Sequence, residues 1–370
     1  MTRRAIEVWA PLSPSVYLRR PSPILPYPLG LESCQLYGRA RHGLAEGLRG
    51  LGIGSGDIVL MPAWHHGSEV EAVISTGAAC RFYDTGNSLM PPEDELDTLV
   101  DSNVRALHLI HYLGHGQDAS QWRRWCDRRG LLLIEDAAQA WLSWHDGLPV
   151  GSHGDLAVWC LYKSYGLPDG AAVRGPARLG DRDAAAGAAA MLRRHAGWLA
   201  QHASPPQRSS EAAYDAARDF ATGEPSAASR VTRWLLPRVV EPGVAEAARR
   251  RNYFRLLDAV PKLVPRPFDA LAGGSVPFVF PIAVQDKADV IRRFRSQGVR
   301  PVDLWSVPHP SLPVEEHPYA AWHRRHLVAL PVHQGLGDHL AGWLAGLCHR
   351  LLAAEEPPAR PGDARSAHSG

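Results

Sequence analysis

The residues most suited to chemistry in this sequence are charged side chains that directly follow apolar runs. In Leu131-Leu-Leu-Ile-Glu-Asp-Ala-Ala-Gln-Ala140, Glu135 and Asp136 come where a predicted buried strand ends. Open α/β sheets bind ligands at the carboxyl ends of their strands, and a carboxylate buried there needs a cation. Asp136 is therefore either a ligand-binding acid or the N-cap of a following helix, a position for which Asp is well suited.

A lysine follows a second apolar run. Lys163 comes after Val158-Trp-Cys-Leu-Tyr162 and precedes the Gly/Pro-rich turn Ser164-Tyr-Gly-Leu-Pro-Asp-Gly170. Because burial lowers the pKa of an amine, this lysine is predicted to be a nucleophile toward carbonyl carbons and able to form a Schiff base. The alternative is a lysine at a strand end whose amine reaches back to solvent.

The elements that would position these side chains alternate between apolar strands and amphipathic helices. Strands are predicted at 58–60, 81–83, 106–110, 131–134, 277–284 and 327–332, and helices at 42–51, 68–76, 121–129, 181–203, 244–258, 287–297 and from about 333 to 352. This alternation predicts an α/β fold with a mostly parallel central sheet flanked by helices, followed by a smaller C-terminal α+β domain. The predicted organisation is an N-terminal arm (1–36), a large domain (37–245), a small domain (246–354) and a mobile tail (355–370).

Composition limits the class of protein. The 370 residues are 45% hydrophobic, enough for a large core, and the formal net charge of +2 shows no basic surplus that would indicate a nucleic-acid partner. Five cysteines without CxxC spacing argue against a disulfide framework or a zinc site. Because no signal-peptide core or membrane-length apolar stretch is found, we expect a soluble, cytoplasmic protein without a membrane partner.

These two segments, together with further motifs in the same order, resemble the DegT/DnrJ/EryC1/StrS sugar aminotransferases, a family of fold-type-I pyridoxal-phosphate enzymes. The resemblance runs from Tyr37 to Gly335 and marks the chain as a divergent member. The turn Gly52-Ile-Gly-Ser-Gly-Asp57 belongs to this pattern and is not interpreted as a nucleotide-binding loop. The other motifs are Tyr37-Gly-Arg-Ala-Arg41, His111-Tyr-Leu-Gly114, Ile134-Glu-Asp-Ala-Ala-Gln139, Val150-Gly-Ser-His-Gly-Asp155, Pro277-Phe-Val-Phe-Pro281 and Leu330-Pro-Val-His-Gln334.

The resemblance implies a role for each residue that matches a motif. Lys163 would hold pyridoxal 5'-phosphate as a Schiff base and later move a proton, and Asp136 would pair with the pyridine nitrogen of the cofactor. Gln139 would contact the phenolic oxygen of the ring, and His66 would stack on the ring. For Gln139 and His66 the alternative is an ordinary polar residue near the start of a helix.

The cofactor phosphate would bind at the start of a helix. Gly38, Arg39 and Ala40 occupy the position of the family's phosphate-binding turn, where free N–H groups and the helix dipole attract anions. Arg39 would add a charge or be an exposed arginine. Cys160 stands where the family has a phosphate-binding serine, so it is either a weak ligand or a small buried hydrophobe. Between Arg174 and Arg249 we find no counterpart of the family segment that the partner subunit contributes to the site.

In the small domain, Trp305 and His309 occupy positions where the family contacts substrate, and His333 follows a strand; a structural role is the alternative for each. The resemblance implies transfer of an amino group from glutamate to a keto sugar that is nucleotide-linked, within a homodimer. The alternatives are a pyridoxal-phosphate enzyme of the same fold that acts on a non-sugar carbonyl in a tailoring pathway, and a catalytically silent paralogue. No metal ligands are predicted.

Overall fold

A computed structural model describes residues 5–177, 188–203, 219–241 and 243–362. Among these residues, no helix combines the length and the apolar character needed to cross a membrane. The strands are β1 (Ile6–Glu7), β2 (Cys34–Tyr37), β3 (Ile58–Pro62), β4 (Ala79–Tyr83), β5 (Val104–Ile110), β6 (Leu132–Asp136), β7 (Trp144–His145), β8 (Leu148–Pro149), β9 (Leu156–Cys160), β10 (Ala171–Arg174), β11 (Val279–Ala283), β12 (Val299–Arg300), β13 (Val302–Asp303) and β14 (Leu327–Pro331).

The helices account for most of the remaining regular structure. They are α1 (Ala40–Gly50), α2 (Ser68–Ile74), α3 (Glu93–Asp97), α4 (Ala119–Asp127), α5 (Leu161–Ser164), α6 (Ala188–Ala203), α7 (Arg230–Val239), α8 (Val244–Ala259), α9 (Lys287–Ser296), α10 (Pro318–His326) and α11 (Asp338–Leu352). The predicted helix at 181–203 is confirmed from Ala188 onward, and its first residues lie outside the described part of the chain.

Seven strands form the central sheet in the order β2-β10-β9-β6-β5-β3-β4. Strands β3, β4, β5, β6 and β9 are mutually parallel, whereas β10 runs antiparallel to both β9 and β2. The prediction of an α/β fold with a mostly parallel sheet is confirmed. Because β6 and β9 are parallel neighbours, the residues that follow their carboxyl ends meet at one edge of the sheet, and Asp136 and Lys163 are among them.

Helix α1 lies close against the sheet because two glycines face it. A Cβ added to Gly43 would stand 2.1 Å from Val173 Cγ2, and one added to Gly47 would stand 2.3 Å from Leu156 Cδ1. The absence of a side chain at both positions lets the helix backbone approach β9 and β10. The N-terminus of α1 is thereby fixed beside the carboxyl end of β9.

The C-terminal part forms a second layer, in which β11, β14 and β13 make an antiparallel sheet that contacts α8, α9 and α10, while α11 packs on α8 and α9. The N-terminal arm crosses both layers: β1 pairs with β12, and the last arm residues belong to β2 at the edge of the central sheet. The described start of the tail packs on α10, where Trp322 Nε1 donates to the carbonyl of Ala359 at 2.8 Å. The four-part division of the chain itself stays a prediction.

Candidate active site

Asp136 is the last residue of β6 and has one carboxylate oxygen directed to each of two neighbours. Oδ1 accepts a hydrogen bond from the backbone N–H of Ala138 at 2.8 Å, and Oδ2 lies 3.7 Å from Nε2 of His108 on β5. The residues that follow form turns and no helix begins there, so the N-cap alternative for Asp136 is wrong. The carboxylate remains partly accessible, with 13% of the side chain exposed, which leaves it able to contact a ligand.

The neighbouring acid has a different, structural task. Glu135 is fully buried, accepts from His111 Nε2 at 3.0 Å, and accepts from the backbone N–H groups of Gly151 and His153 at 3.0 and 2.7 Å. Burial by itself would raise the pKa of Glu135, but these hydrogen bonds outweigh it and hold the pKa below its ordinary value. Glu135 therefore anchors the loop before β9 and is not available to a ligand.

Lys163 lies in the single turn of α5, which starts directly after β9. Its amine makes no hydrogen bond or ion pair with the described residues, and Nζ lies 6.0 Å from the centre of the Phe278 ring. Burial lowers the pKa of Lys163, but the acidic groups of Cys160, Tyr162 and Asp136 outweigh burial and raise it. The predicted lowering of this pKa is therefore wrong for the free amine, because the sequence does not show that these acidic groups outweigh burial.

The N-terminus of α1, together with Arg39, gives one end of the site a positive potential. Arg39 is the N-cap residue, and no side chain caps the helix, so the backbone N–H groups of Ala40 and Arg41 have no partner among the described residues. The Arg39 guanidinium lies over the Tyr162 ring, with Cζ 5.1 Å from the ring centre. The backbone N–H of Gly38 is predicted to bind phosphate, but in the structure it already donates to the carbonyl of Ser226 at 2.8 Å.

Two further predicted cofactor residues have part of their polar groups already in use. Gln139 Oε1 accepts from the backbone N–H of Leu113 at 3.0 Å, which leaves the amide NH₂ for a ligand. The ring of His66 contacts Ser68 Oγ at 3.2 Å and Asp219 at 2.9 Å. Cys160 is buried, with Sγ 3.8 Å from the hydroxyl of Tyr162. Both roles considered for this thiol, a weak phosphate ligand and a small buried hydrophobic residue, stay predictions.

The predicted substrate residues Trp305 and His309 lie on the loop after β13. Both ring nitrogens of His309 are occupied, by Ser311 Oγ at 2.8 Å and by Glu71 Oε1 of α2 at 2.9 Å. Trp305 packs its ring against buried Trp64 at 5.2 Å. These contacts join the loop to the central sheet, and substrate contact by either residue stays a prediction. The ring of His333 donates from Nε2 to the Glu7 carbonyl at 3.1 Å, and its Nδ1 has no hydrogen-bond partner among the described residues.

Sequence reasoning missed several residues that surround Lys163 and Asp136. His108 is fully buried beside Asp136, with no hydrogen bond to either ring nitrogen from the described residues. Phe278 places its ring over the Lys163 amine, and Trp9 of the arm packs on Phe278 at 5.4 Å. Arg249 holds the turn after Lys163. The apolar run that contains Phe278 is visible in the sequence, but the sequence does not show which side chains Phe278 contacts.

The residues present fit an elongated ligand with an anionic group at one end and a basic ring nitrogen at the other. The uncapped start of α1 and Arg39 supply donors for the anion, and Asp136 supplies the carboxylate. Lys163, the unpaired amine, lies on the adjacent strand end.

A family model described as the DegT/DnrJ/EryC1/StrS aminotransferase family matches residues 33–204. Over this region, which is just under half of the chain, the sequence is similar to the family. The matched region carries Arg39, Asp136 and Lys163, whereas Arg249 and Phe278 lie outside it.

Curated relatives match over a shorter region. The chain is 36% identical over 146 residues to a dTDP-3-amino-3,4,6-trideoxy-alpha-D-glucose transaminase of Streptomyces venezuelae, covering 36% of this chain and 37% of the relative. It is 29% identical over 121 residues to a GDP-perosamine synthase of Vibrio cholerae, covering 32% of this chain and 33% of the relative. These matches span about a third of the length of either relative.

Solved structures match over most of the fold. The S. venezuelae DesV structure with a ketimine intermediate has a TM-score of 0.62 and 21% identity, covering 86% of this chain and 84% of DesV. The putative sugar aminotransferase Spr1654 of Streptococcus pneumoniae in its PMP form has a TM-score of 0.65 and 15% identity, covering 93% of both chains. At these identities the likeness establishes the shared fold.

Proposed function

We propose that this chain is a pyridoxal-phosphate-dependent aminotransferase that transfers an amino group from glutamate to the keto group of a nucleotide-linked sugar. In this reaction glutamate is oxidised to 2-oxoglutarate, while the acceptor C=O is reduced to CH–NH₂. The observation that carries the proposal is the placement of Asp136 and Lys163 at the ends of adjacent parallel strands, beside the uncapped start of α1. The match to the family model and the names of the curated relatives support the sugar acceptor.

The amine at position 163 supports the proposal independently. Only three of the 40 Lys+Arg residues are lysines, at 163, 262 and 287. Lys287 donates to the Arg324 carbonyl at 2.7 Å and so has a structural partner, whereas Lys163 has none in the described chain. Arginine supplies a positive charge but cannot form a Schiff base, whereas the primary amine of lysine can. In a chain with so few lysines, a buried lysine at this strand end therefore favours a role for the amine itself.

Each residue of the site has a distinct task in this proposal. Pyridoxal phosphate, when bound, supplies an electron sink for the carbanion that forms at the donor carbon. Asp136 keeps a proton on the ring nitrogen, and Lys163 Nζ first holds the cofactor and then accepts and returns the proton of the reacting carbon. Arg39 and the N–H groups of Ala40 and Arg41 bind the phosphate, and the Phe278 ring shields the amine from water.

The assignment is tested by mixing the purified chain with pyridoxal phosphate, reducing it with borohydride and locating the added mass by peptide mapping. We expect visible absorbance on mixing and a reduced adduct on Lys163, with none on Lys262 or Lys287. Lys163→Met removes the amine but keeps the apolar stem, and it should abolish the adduct. A chain that stays colourless, or an adduct spread over all three lysines, would contradict the proposal.

The acceptor class is tested after the adduct has been found. Formation of 2-oxoglutarate from glutamate, coupled to amination of a panel of dTDP- and GDP-linked keto sugars and non-sugar ketones, distinguishes the sugar acceptor from the non-sugar alternative. Amination of the non-sugar members alone would contradict the sugar assignment and leave the aminotransferase assignment standing.

We further propose that the protein is a cytoplasmic homodimer. All five cysteines are free, which is consistent with a reducing compartment. The proposed dimer rests on the resemblance to the family and is tested by light scattering during size-exclusion chromatography. A monomer that is fully active at assay concentration would contradict it.

A further inference from the structure

The hydroxyl group of Tyr162 has a proton for which the described residues offer no hydrogen-bond acceptor. The Cys160 thiol donates to the phenolic oxygen, with Sγ and the hydroxyl oxygen 3.8 Å apart, so the oxygen accepts while its own proton stays free. The Tyr162 side chain is half-buried and directly precedes Lys163 in α5. Because a donor that has left water is stabilised when another acceptor replaces that water, this hydroxyl is suited to bind a ligand that accepts from it.

Backbone hydrogen bonds connect Tyr162 to the start of α1. The N–H of Leu161, the residue before Tyr162, donates to the Gly170 carbonyl at 3.0 Å. The N–H of Gly170 in turn donates to the Gly38 carbonyl at 3.0 Å. Gly38 precedes Arg39, the N-cap residue of α1. The turn that carries Tyr162 is therefore fixed beside the helix N-terminus to which the cofactor phosphate is assigned.

Arg39 brings a positive charge to the same place. Its guanidinium Cζ lies 5.1 Å from the centre of the Tyr162 ring, a cation–π contact that holds the two side chains together. Burial lowers the pKa of this guanidinium, but three neighbours outweigh burial and raise it, namely Tyr162, Cys160 and Asp169. Asp169, the carboxylate among them, already accepts from the backbone N–H of Ser229 at 3.1 Å. Arg39 therefore keeps its charge beside the phenol.

The charges around the Tyr162 hydroxyl favour an anion as its acceptor. Burial has the largest effect on the pKa of Tyr162 and, together with Cys160, raises it. Lys163 and Arg39 lower this pKa without cancelling burial. The hydroxyl therefore keeps its proton at neutral pH and acts as a donor, with two cations beside it. Hydrogen bonds from such a donor are strongest when the acceptor oxygen is charged.

The resemblance to the family leaves part of the phosphate site without a counterpart. The family has a phosphate-binding serine where this chain has Cys160, and a thiol is a weak donor. Between Arg174 and Arg249 the chain also has no counterpart of the segment that the partner subunit contributes to the site. The Tyr162 hydroxyl lies beside the thiol that stands in place of the serine and is a stronger donor than that thiol.

We propose that the Tyr162 hydroxyl donates to the phosphate group of the cofactor and so takes over the role of the absent serine. This inference rests on the proposed function and deepens it, because it assigns a cofactor-binding residue that no motif of the family supplies. Together with Arg39 and the free N–H groups at the start of α1, Tyr162 lets this chain build the phosphate site from its own residues.

The test compares the affinity of the purified chain for pyridoxal phosphate with its affinity for pyridoxal, which lacks the phosphate, by equilibrium dialysis. Tyr162→Phe removes the hydroxyl and keeps the ring under Arg39. It should weaken the binding of pyridoxal phosphate about tenfold, because a hydrogen bond to a charged group is lost, and leave the binding of pyridoxal unchanged. Tyr165→Phe is the matched control, since the hydroxyl of Tyr165 likewise has no partner among the described residues. This control should bind both compounds as the wild type does.

A second measurement does not depend on the reaction at Lys163. The binding of inorganic phosphate to the cofactor-free chain is measured by calorimetry. Tyr162→Phe should weaken this binding by a similar factor, whereas Tyr165→Phe should leave it unchanged. Urea titrations should give both variants a free energy of unfolding close to that of the wild type, which separates the loss of a donor from a folding defect.

Two results would overturn the inference. One is equal affinity of Tyr162→Phe and the wild type for pyridoxal phosphate. The other is an equal loss of affinity for pyridoxal and for pyridoxal phosphate, which would assign the hydroxyl to the ring end of the cofactor. If the wild-type chain forms no adduct on Lys163, the proposed function fails. Weaker binding of inorganic phosphate by Tyr162→Phe would still support Tyr162 as a phosphate ligand, and equal binding would refute it.

Discussion

Arg249 and Ser164 are joined by a hydrogen bond of 2.8 Å, in which guanidinium Nη2 donates to the carbonyl of the residue that follows Lys163. Gln334 Nε2 donates to the same carbonyl at 2.9 Å, and Arg249 Nε donates to Gln334 Oε1 at 2.9 Å. Arg249 comes from α8 and Gln334 from the segment after β14. The C-terminal layer therefore holds the turn that carries Lys163.

Replacing Arg249 tests this connection. Arg249→Met leaves buried carbonyls without donors, and we expect the free energy of unfolding to fall by about 2–4 kcal/mol in urea titrations. The adduct on Lys163 should also form more slowly, because the turn loses its support. The matched control is Arg251→Met, which removes only an exposed ion pair with Asp338 of 3.0 Å and should cost at most about 1 kcal/mol. Equal effects of the two substitutions would refute the connection.

Asp136→Asn tests the carboxylate end of the site. An amide cannot keep the ring nitrogen of the cofactor protonated, so the reaction with glutamate should slow by about 100-fold or more, while borohydride still fixes the cofactor to Lys163. Asp127→Asn, which changes an exposed carboxylate on α4, serves as the control. A rate within a few-fold of wild type in Asp136→Asn would show that this carboxylate does not touch the cofactor.

Stability should depend on pH through buried histidines. Burial, with a further contribution from Arg360, lowers the pKa of His323 to about 3, while its ordinary value is 6.5. Below pH 6.5, His323 is protonated in the unfolded chain but stays neutral in the folded chain. The native state therefore loses stability as the pH falls from 6.5 toward 3. Each such group contributes about 1.4 kcal/mol per pH unit in this window, and nothing above it.

His323→Gln isolates one of these groups. The free energy of unfolding is measured by urea titration at pH 7, 6 and 5. Its slope against pH should be smaller in the variant by about 1.4 kcal/mol per pH unit, which corresponds to one bound proton. The exposed His339→Gln is the control and should leave the slope unchanged. His65, His115 and His333 have pKa values lowered to about 3, 4 and 3, again mainly by burial, so the wild-type slope should exceed one proton. An identical slope in His323→Gln and wild type would mean that His323 is not held neutral.

The contact between α1 and the sheet gives a steric prediction. Gly43→Ala would bring a methyl group within 2.1 Å of Val173 Cγ2, and we expect a loss of about 1–3 kcal/mol in unfolding free energy together with weaker phosphate binding at the start of α1. Gly342→Ala on α11 has open space around it and should stabilise the protein by up to about 1 kcal/mol. Stabilisation by both substitutions would show that α1 does not need the close approach.

The placement of Asp136 and Lys163 at neighbouring strand ends could be predicted from sequence because its signal is local. An apolar run that ends in Asp136, and another that ends just before Lys163, each mark a strand end within a few residues. The sign of the Lys163 pKa shift could not be predicted, since burial and neighbouring acids act in opposite directions, and only the structure shows that Cys160, Tyr162 and Asp136 together outweigh burial. The roles of Gln139 and His66 depend likewise on partners, Leu113 and Asp219, that are remote in sequence.

By itself, the sequence determined the alternation of strands and helices, the mostly parallel sheet and the two charged residues at its edge, because hydrophobic periodicity and strand-end charges are properties of short segments. Only the tertiary structure decided that Trp9 packs on Phe278 beside Lys163, and that His108 faces Asp136. Such contacts join residues that are far apart along the chain, and which of them form is set by how the layers and the arm pack, a choice that no short segment encodes.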